Sequence, residues 1–208
     1  PMFWFCLILG LYPYVIYPLM VWAVARYRSR YVAKGTFEPS VTVVIAAFNE
    51  ASHIERTVRN KLEQEYPENK LLVLVVSDGS DDGTDSIVES LAEADSRVHL
   101  VRQTPRQGKT SGLNLALSMC DSELVVFSDA NSMYAPGALT ALANNFNDPS
   151  VGYVTGRLEY EAEEGSVAGE GSDAYMRYEN WLRKYETSIG SVVGVDGGID
   201  AIRRKLYR

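Results

Sequence analysis

At 208 residues, 46% of them hydrophobic and 23% charged, the chain is long enough for one substantial domain with its own core. Its formal net charge of -7 is unevenly placed: residues 1–34 hold Arg26, Arg28, Arg30 and Lys34 with no acid, so the acidic excess belongs to the remainder and argues against general nucleic-acid binding. Cys6 and Cys120 lie far apart beside apolar residues, which excludes a disulfide scaffold or a zinc cluster and reads as two buried thiols, while His53 and His99 alone leave little room for histidine-based metal or triad chemistry.

The first element is PMFWFCLILGLYPYVIYPLMVWAVA, residues 1–25, without a charged side chain. About 25 residues rising about 1.5 Å each exceed a hydrocarbon core roughly 30 Å thick, so the stretch predicts a transmembrane helix. Trp4, Tyr12, Tyr14, Tyr17 and Trp22 supply interfacial aromatics, and Pro13 and Pro18 predict a kink midway. A cleaved signal peptide fits less well, because a basic leader and a small-residue cleavage site are missing. The basic flank RYRSRYVAK places the rest of the chain in the cytoplasm by the positive-inside rule. An initial Pro in place of Met reads as a start within a longer chain.

From Thr36 the pattern becomes strand and helix in alternation. VTVVIAAF (41–48), LLVLVVS (71–77), RVHLV (97–101), ELVVFS (123–128) and VGYVTGRLEY (151–160) read as strands, with helices over 51–65, around Ile87, Val88 and Leu91, and over 110–119 and 136–146. This cadence predicts an α/β fold, a mostly parallel sheet flanked by helices. The acidic, glycine-rich run 159–173 reads as a mobile loop. The expected division is a transmembrane helix with its basic flank over 1–34, an α/β domain over 35–160, and a further, partial region over 161–208.

Carboxylates crowd the end of the second strand in VVSDGSDDGTD (75–85). Asp78, Ser80, Asp82, Gly83 and Glu89 fall nearly on the spacing of a calcium-binding EF-hand loop. A hand needs an entering helix and an apolar eighth position, whereas here a strand enters and the eighth position is Asp85. In an open parallel sheet, ligands bind beyond the carboxyl ends of the strands, and polar residues stand at just those ends: Asn49 and Glu50, Asp78, then Asp129 and Asn131. Asp81, Asp82, Thr84 and Asp85 read as helix-capping residues. Neither a dinucleotide fingerprint nor a P-loop occurs. RQGKTSGLN (106–114) is the one basic, glycine-containing loop that runs into a helix, where Lys109 and the free amides could meet a diphosphate. FSDANS (127–132) delivers an acid and a second oxygen donor to one side, a pair able to hold a hard divalent cation.

Taken in order, VTVVIAAFNE, VVSDGSDDGTD, RQGKTSGLN and FSDANS resemble the family 2 inverting glycosyltransferases with a GT-A fold, of the membrane-anchored bacterial type, over about residues 40–160. The resemblance implies a nucleotide-sugar donor, most often a UDP-sugar, and Mg²⁺ or Mn²⁺. It implies that Asn49, Glu50 and the Ala46–Ala47 backbone line the nucleoside, that Asp78 reads the base, and that Gly108 and Lys109 lie near the nucleotide. Asp129 then takes the metal-and-diphosphate role of the D-x-D motif, with Asn131 in place of its last acid and Ser77 where many members carry a first Asp. An amide oxygen is a poorer cation ligand than a carboxylate.

Inversion requires stabilisation of the leaving diphosphate and a base for the acceptor hydroxyl. In the family that base follows the segment corresponding to 192–204, which places it beyond Arg208; Asp196 and Asp200 are the nearby acids, and turn chemistry around Gly197–Gly198 is the favoured role there. Tyr175, Tyr178, Leu182, Tyr185 and Ile189, with Trp181 adjoining, form a helical stripe that reads as core, or as a platform for an acceptor. A membrane anchor with a cytoplasmic active site points to a lipid-linked or polysaccharide acceptor. Two other readings stay open: a sugar-nucleotide pyrophosphorylase, and a membrane-tethered, noncatalytic calcium-binding or interaction module.

Overall fold

The computed structural model describes residues 2–157, 167–195 and 198–207, with side chains of the long seventh helix from residue 175 onward. Three apolar runs form the centre of a sheet: β1 (Val41–Ala47), β2 (Leu71–Ser77) and β4 (Leu124–Asp129). Their side chains are buried on both faces, which is why the runs are continuous rather than alternating. With β3 (Val98–Arg102), β5 (Tyr153–Thr155) and β6 (Ile199–Arg203) they give the order β3-β2-β1-β4-β6-β5. The first four of these are mutually parallel, and β6 runs antiparallel to both β4 and β5.

Helices cover both faces. Ile54 and Val58 of α3 (Ile54–Leu62), Val88 and Leu91 of α4 (Thr84–Ala94), and Leu139 and Leu142 of α6 (Ala138–Ala143) pack on one side with Val43, Ile45 and Val73. Ala116 and Leu117 of α5 (Lys109–Ser118) pack on the other with Val44, Val76 and Val125. The chain leaves β1 toward β2 on one side and returns to pair β4 on its other side, so the sheet order reverses at β1. Such a switch opens a crevice beyond the carboxyl ends of the two strands that flank it.

Several expectations need correction. The strand ends that carry Asp78 and Asp129 are not adjacent, since β1 lies between β2 and β4. Of the strand expected over 151–160, the described residues form β5 over three positions, antiparallel to its neighbour, a distinction that hydrophobic periodicity does not carry, and 158–160 lie outside the described residues. The helix expected over 136–146 is α6 followed by a 3₁₀ turn at Asn144–Asn147. Of the expected loop over 159–173, residues 159–166 lie outside the described residues, and helix already runs from Val167. Cys6 is exposed rather than buried, because it lies on the N-terminal apolar helix, while Cys120 is buried in the core.

The N-terminal helices and α7 (Val167–Ile189) make a second compact unit. α1 (Met2–Leu11) passes through a π-helical turn, Tyr12–Ile16, into α2 (Tyr17–Arg28), and the whole run is long and apolar enough to cross a membrane. Pro18 has no amide to offer the carbonyls of Pro13 and Tyr14, and the Tyr178 hydroxyl lies 3.3 Å and 3.4 Å from them. Tyr17 donates its hydroxyl to Glu186 at 2.6 Å, and Trp181 meets Tyr185 edge-on at 4.8 Å. Part of the aromatic stripe is therefore internal packing.

Candidate active site

Asp78 follows the last residue of β2 and is only 7% exposed. Its Oδ1 accepts from Gln103 Nε2 at 2.5 Å and the Gln107 amide at 2.9 Å; its Oδ2 accepts from the Gly108 amide at 2.9 Å, with the Arg106 guanidinium 3.5 Å away. Burial pushes the carboxyl up, but the amide of Gln107, the Gln103 side chain, the amide of Gly108 and the charge of Arg106 outweigh it and hold the group below the usual carboxylate range. Glycine is required on either side of this clasp. Gly79 adopts φ 73° with the Arg106 Cβ 3.3 Å from where a side chain would begin, and Gly108 turns into α5 at φ 89°.

The next residue of the same loop reaches the other acid. Lys109 Nζ lies 2.5 Å from Asp129 Oδ1, and both side chains are substantially exposed. Asp129 is level with Ala46 of β1, and Ala46 is level with Val76, two residues before Asp78. Since successive strand residues alternate faces, Asp78 and Asp129 share the parity of Val76 and Phe127, the α5 side of the sheet. Two strand spacings, roughly 10 Å, separate them. Asp200 of β6 sits opposite Phe127 and so belongs to this face as well; it is 6% exposed, and its Oδ1 has no partner among the described residues. It is a strand residue, not part of a turn, while Asp196 lies outside the described residues.

Beside these acids, the loops after β1 and β2 are laced together. Asn49, at φ 55°, donates its backbone amide to Ser80 Oγ at 3.1 Å and its side-chain amide to Asp81 Oδ1 at 2.9 Å, while its Oδ1 accepts the Asp81 backbone amide at 3.0 Å. The Glu50 amide donates to Thr84 Oγ1, and the Ala51 amide to Asp82. Thr84, Ala51 and their bonds hold the Asp82 carboxyl below its ordinary range. Of the expected helix caps, only Asp82 receives an amide of the helix start, that of Thr84; Asp81 binds Asn49 and Asp85 pairs with Arg102. The residues on calcium-loop spacing thus turn toward different partners, and no group of three or more metal-binding side chains forms among the described residues.

Sequence reasoning singled out Asp78, Lys109 and Asp129, and the structure brings them to one loop. Arg106 was signalled only as the first residue of the basic loop around Lys109, whereas Gln103 and the partly exposed Phe48, whose ring lies 3.5 Å beneath the Arg106 guanidinium, carry no local mark. Ala47 lies in β1 against Ser77, and Asn131 is exposed just beyond Asp129.

A mostly parallel sheet whose order reverses at β1, with acids and a basic loop at its carboxyl end, is an α/β fold of GT-A type. The chain belongs to glycosyl transferase family 2, whose model matches residues 42–208. It is similar to the beta-monoglucosyldiacylglycerol synthase of Trichormus variabilis, 27% identical over 169 residues, 80% of this chain and 36% of that one. It is also similar to the poly-beta-1,6-N-acetyl-D-glucosamine synthase of Staphylococcus aureus, 25% identical over 76% of this chain and 38% of that one. The chain thus spans just over a third of the length of these curated relatives. Among solved structures, the mannosyltransferase PcManGT from Pyrobaculum calidifontis, in complex with GDP-Man and Mn²⁺, superposes with a TM-score of 0.75 at 32% identity, over 91% of this chain and 52% of that one.

Proposed function

We propose that this protein transfers a sugar, with inversion, from a nucleoside-diphosphate sugar, UDP-linked in the first instance, to a lipid-linked or polysaccharide acceptor. The observation that carries the reading is the bridge formed by Gln107, Gly108 and Lys109 between two strand-end acids. Asp78 fixes the loop through the amides of Gln107 and Gly108. The Gly108 and Lys109 positions open α5, so free amides and the Lys109 ammonium face one region, an arrangement suited to a diphosphate. Asn49, Glu50 and the Ala47 backbone form the wall on which a nucleoside would lie.

The donor set suits a hard divalent cation that takes few protein ligands. Asp129 Oδ2 and the Asn131 amide oxygen would hold Mg²⁺ or Mn²⁺, with diphosphate and water completing the shell. When bound, the cation neutralises charge on the leaving diphosphate. Lys109, now paired with Asp129, would turn its ammonium to the same oxygens as the glycosidic bond breaks. The similarity to a structure with GDP-Man and Mn²⁺, and to a glucosyl and an N-acetylglucosaminyl synthase, supports the donor class and leaves GDP-sugars as the second choice.

The apolar run Met2–Arg28, followed by Arg30 and Lys34, supports a membrane anchor with the sheet on the cytoplasmic side. Incubating the detergent-solubilised whole chain with labelled UDP- and GDP-sugars and Mn²⁺ tests the reading. Release of free sugar from one donor supports it; indifference to every sugar nucleotide contradicts it.

A further inference from the structure

One face of α3 holds the chain beyond β4 at every second residue. Thr57 Oγ1 donates to the Ala130 carbonyl at 2.6 Å, Lys61 Nζ to the Ser132 carbonyl at 2.5 Å, and the Asn60 side chain both donates to the Tyr134 carbonyl at 2.9 Å and accepts its amide at 2.7 Å. Positions 57, 60 and 61 share a helix face. Ala130 and Tyr134 are consequently buried, while Asn131 and Met133 between them are exposed. Asp129, Asn131 and their backbone are thus displayed from a segment clamped from the opposite side of the sheet.

Lys61 is the unusual member. Its side chain is fully buried, yet it forms no ion pair with a described acid. Three acceptors surround the amine: the Ser132 carbonyl, Asn60 Oδ1 at 3.1 Å and the face of Tyr134 at 3.6 Å. Three acceptors match the three N–H groups of an ammonium. Burying that charge opposes folding, and burial draws the amine down to about 7. An apolar side chain of similar length would fill the space and spare the cost of the buried charge while giving up the bonds to Ser132 and Asn60, so the two effects on stability oppose each other.

We propose that Lys61 is a positioning residue of the donor site: its ammonium holds the Ser132 carbonyl from beneath so that Asp129 and Asn131 keep their oxygens on the pocket side. The inference rests on the nucleotide-sugar reading above. It assigns Lys61 to the cation-dependent part of donor binding, since the clamped segment carries the proposed cation ligands and not the Asp78 clasp.

The test is K61M, which keeps the stem and removes the ammonium, in the detergent-solubilised whole chain titrated calorimetrically with UDP and with GDP, with and without Mn²⁺. The expected result is a melting temperature within a few degrees of that of the unaltered chain, as the relief of the buried charge offsets the bonds lost. Affinity in Mn²⁺ should fall roughly tenfold or more, as when the support of a metal ligand is lost, with affinity in the absence of Mn²⁺ nearly unchanged. T57V, which drops the hydroxyl bond to Ala130, should shift affinity in the same direction. A folded K61M with full Mn²⁺-dependent affinity overturns the inference, as does a K61M that no longer folds. If the unaltered chain binds neither nucleotide, the donor-site reading itself falls, and the positioning role with it.

Discussion

Asp78 and Asp129 stand on strands separated by β1, yet consecutive residues of one loop bind both: the amides of Gln107 and Gly108 close on Asp78, and Lys109 closes on Asp129 at 2.5 Å. The two acids differ in kind. Asp78 is buried and its contacts are structural, whereas Asp129 is partly exposed and its single base is free to change partners.

Asp78→Ala should therefore cost stability as well as binding. It leaves the amides of Gln107 and Gly108 without their acceptor and takes from the Gln103 side chain the shorter of its two bonds, a loss of about 2–4 kcal/mol in urea unfolding. The carboxyl is held below its ordinary range in the folded state, so its contribution is present above the unfolded value of about 3.9 and fades as pH falls below it. Comparing unfolding of D78N and the unaltered chain between about pH 3 and 6 checks the sign: the gap should narrow on acidification.

Lys109→Met should behave in the opposite way. The Lys109–Asp129 pair is exposed, and such pairs contribute less than about 1 kcal/mol, so the melting temperature should stay within a few degrees. Donor KM should rise about tenfold or more, because the cation that meets the diphosphate is gone.

How far this was legible from residues alone follows from what each signal depends on. β1, β2 and β4 announce themselves because burial on both faces demands unbroken apolar runs, and Asp78 and Asp129 because polarity begins abruptly where those runs end. The order of strands is not a local property, so the interposed β1 was invisible, as was the antiparallel pairing of β5 and β6. Gln103 meets Asp78 across 25 residues and carries no motif. Lys61 follows Val58 and precedes Leu62 on an amphipathic helix, where a lysine ordinarily marks the solvent side; only the approach of the segment after β4 buries it.

The buried lysine gives a stability signature of defined sign. Its folded value of about 7 lies below the unfolded value of about 10.4, so between them the unfolded chain holds a proton that the folded chain lacks. Stability due to this group should rise with pH above about 7, by up to about 1.4 kcal/mol per unit, and stay flat below it. The difference between K61M and the unaltered chain across pH 6–9 isolates the effect. A difference that does not change with pH would show that Lys61 keeps its charge.

Asp200→Val removes a buried oxygen with no partner among the described residues and places a good strand former opposite Phe127. Stability should increase by about 1–3 kcal/mol in denaturant titration. A decrease would assign Asp200 an interaction that the fold depends on.

A crystal structure of the whole chain with a nucleoside diphosphate and Mn²⁺ tests the central claim most directly. The diphosphate oxygens should lie between Lys109 Nζ and Asp129, with the nucleoside along Asn49 and Asp78. A nucleotide seated elsewhere, such as the groove bordered by Arg56, Arg59 and Met133, with the Lys109–Asp129 pair undisturbed, would contradict it.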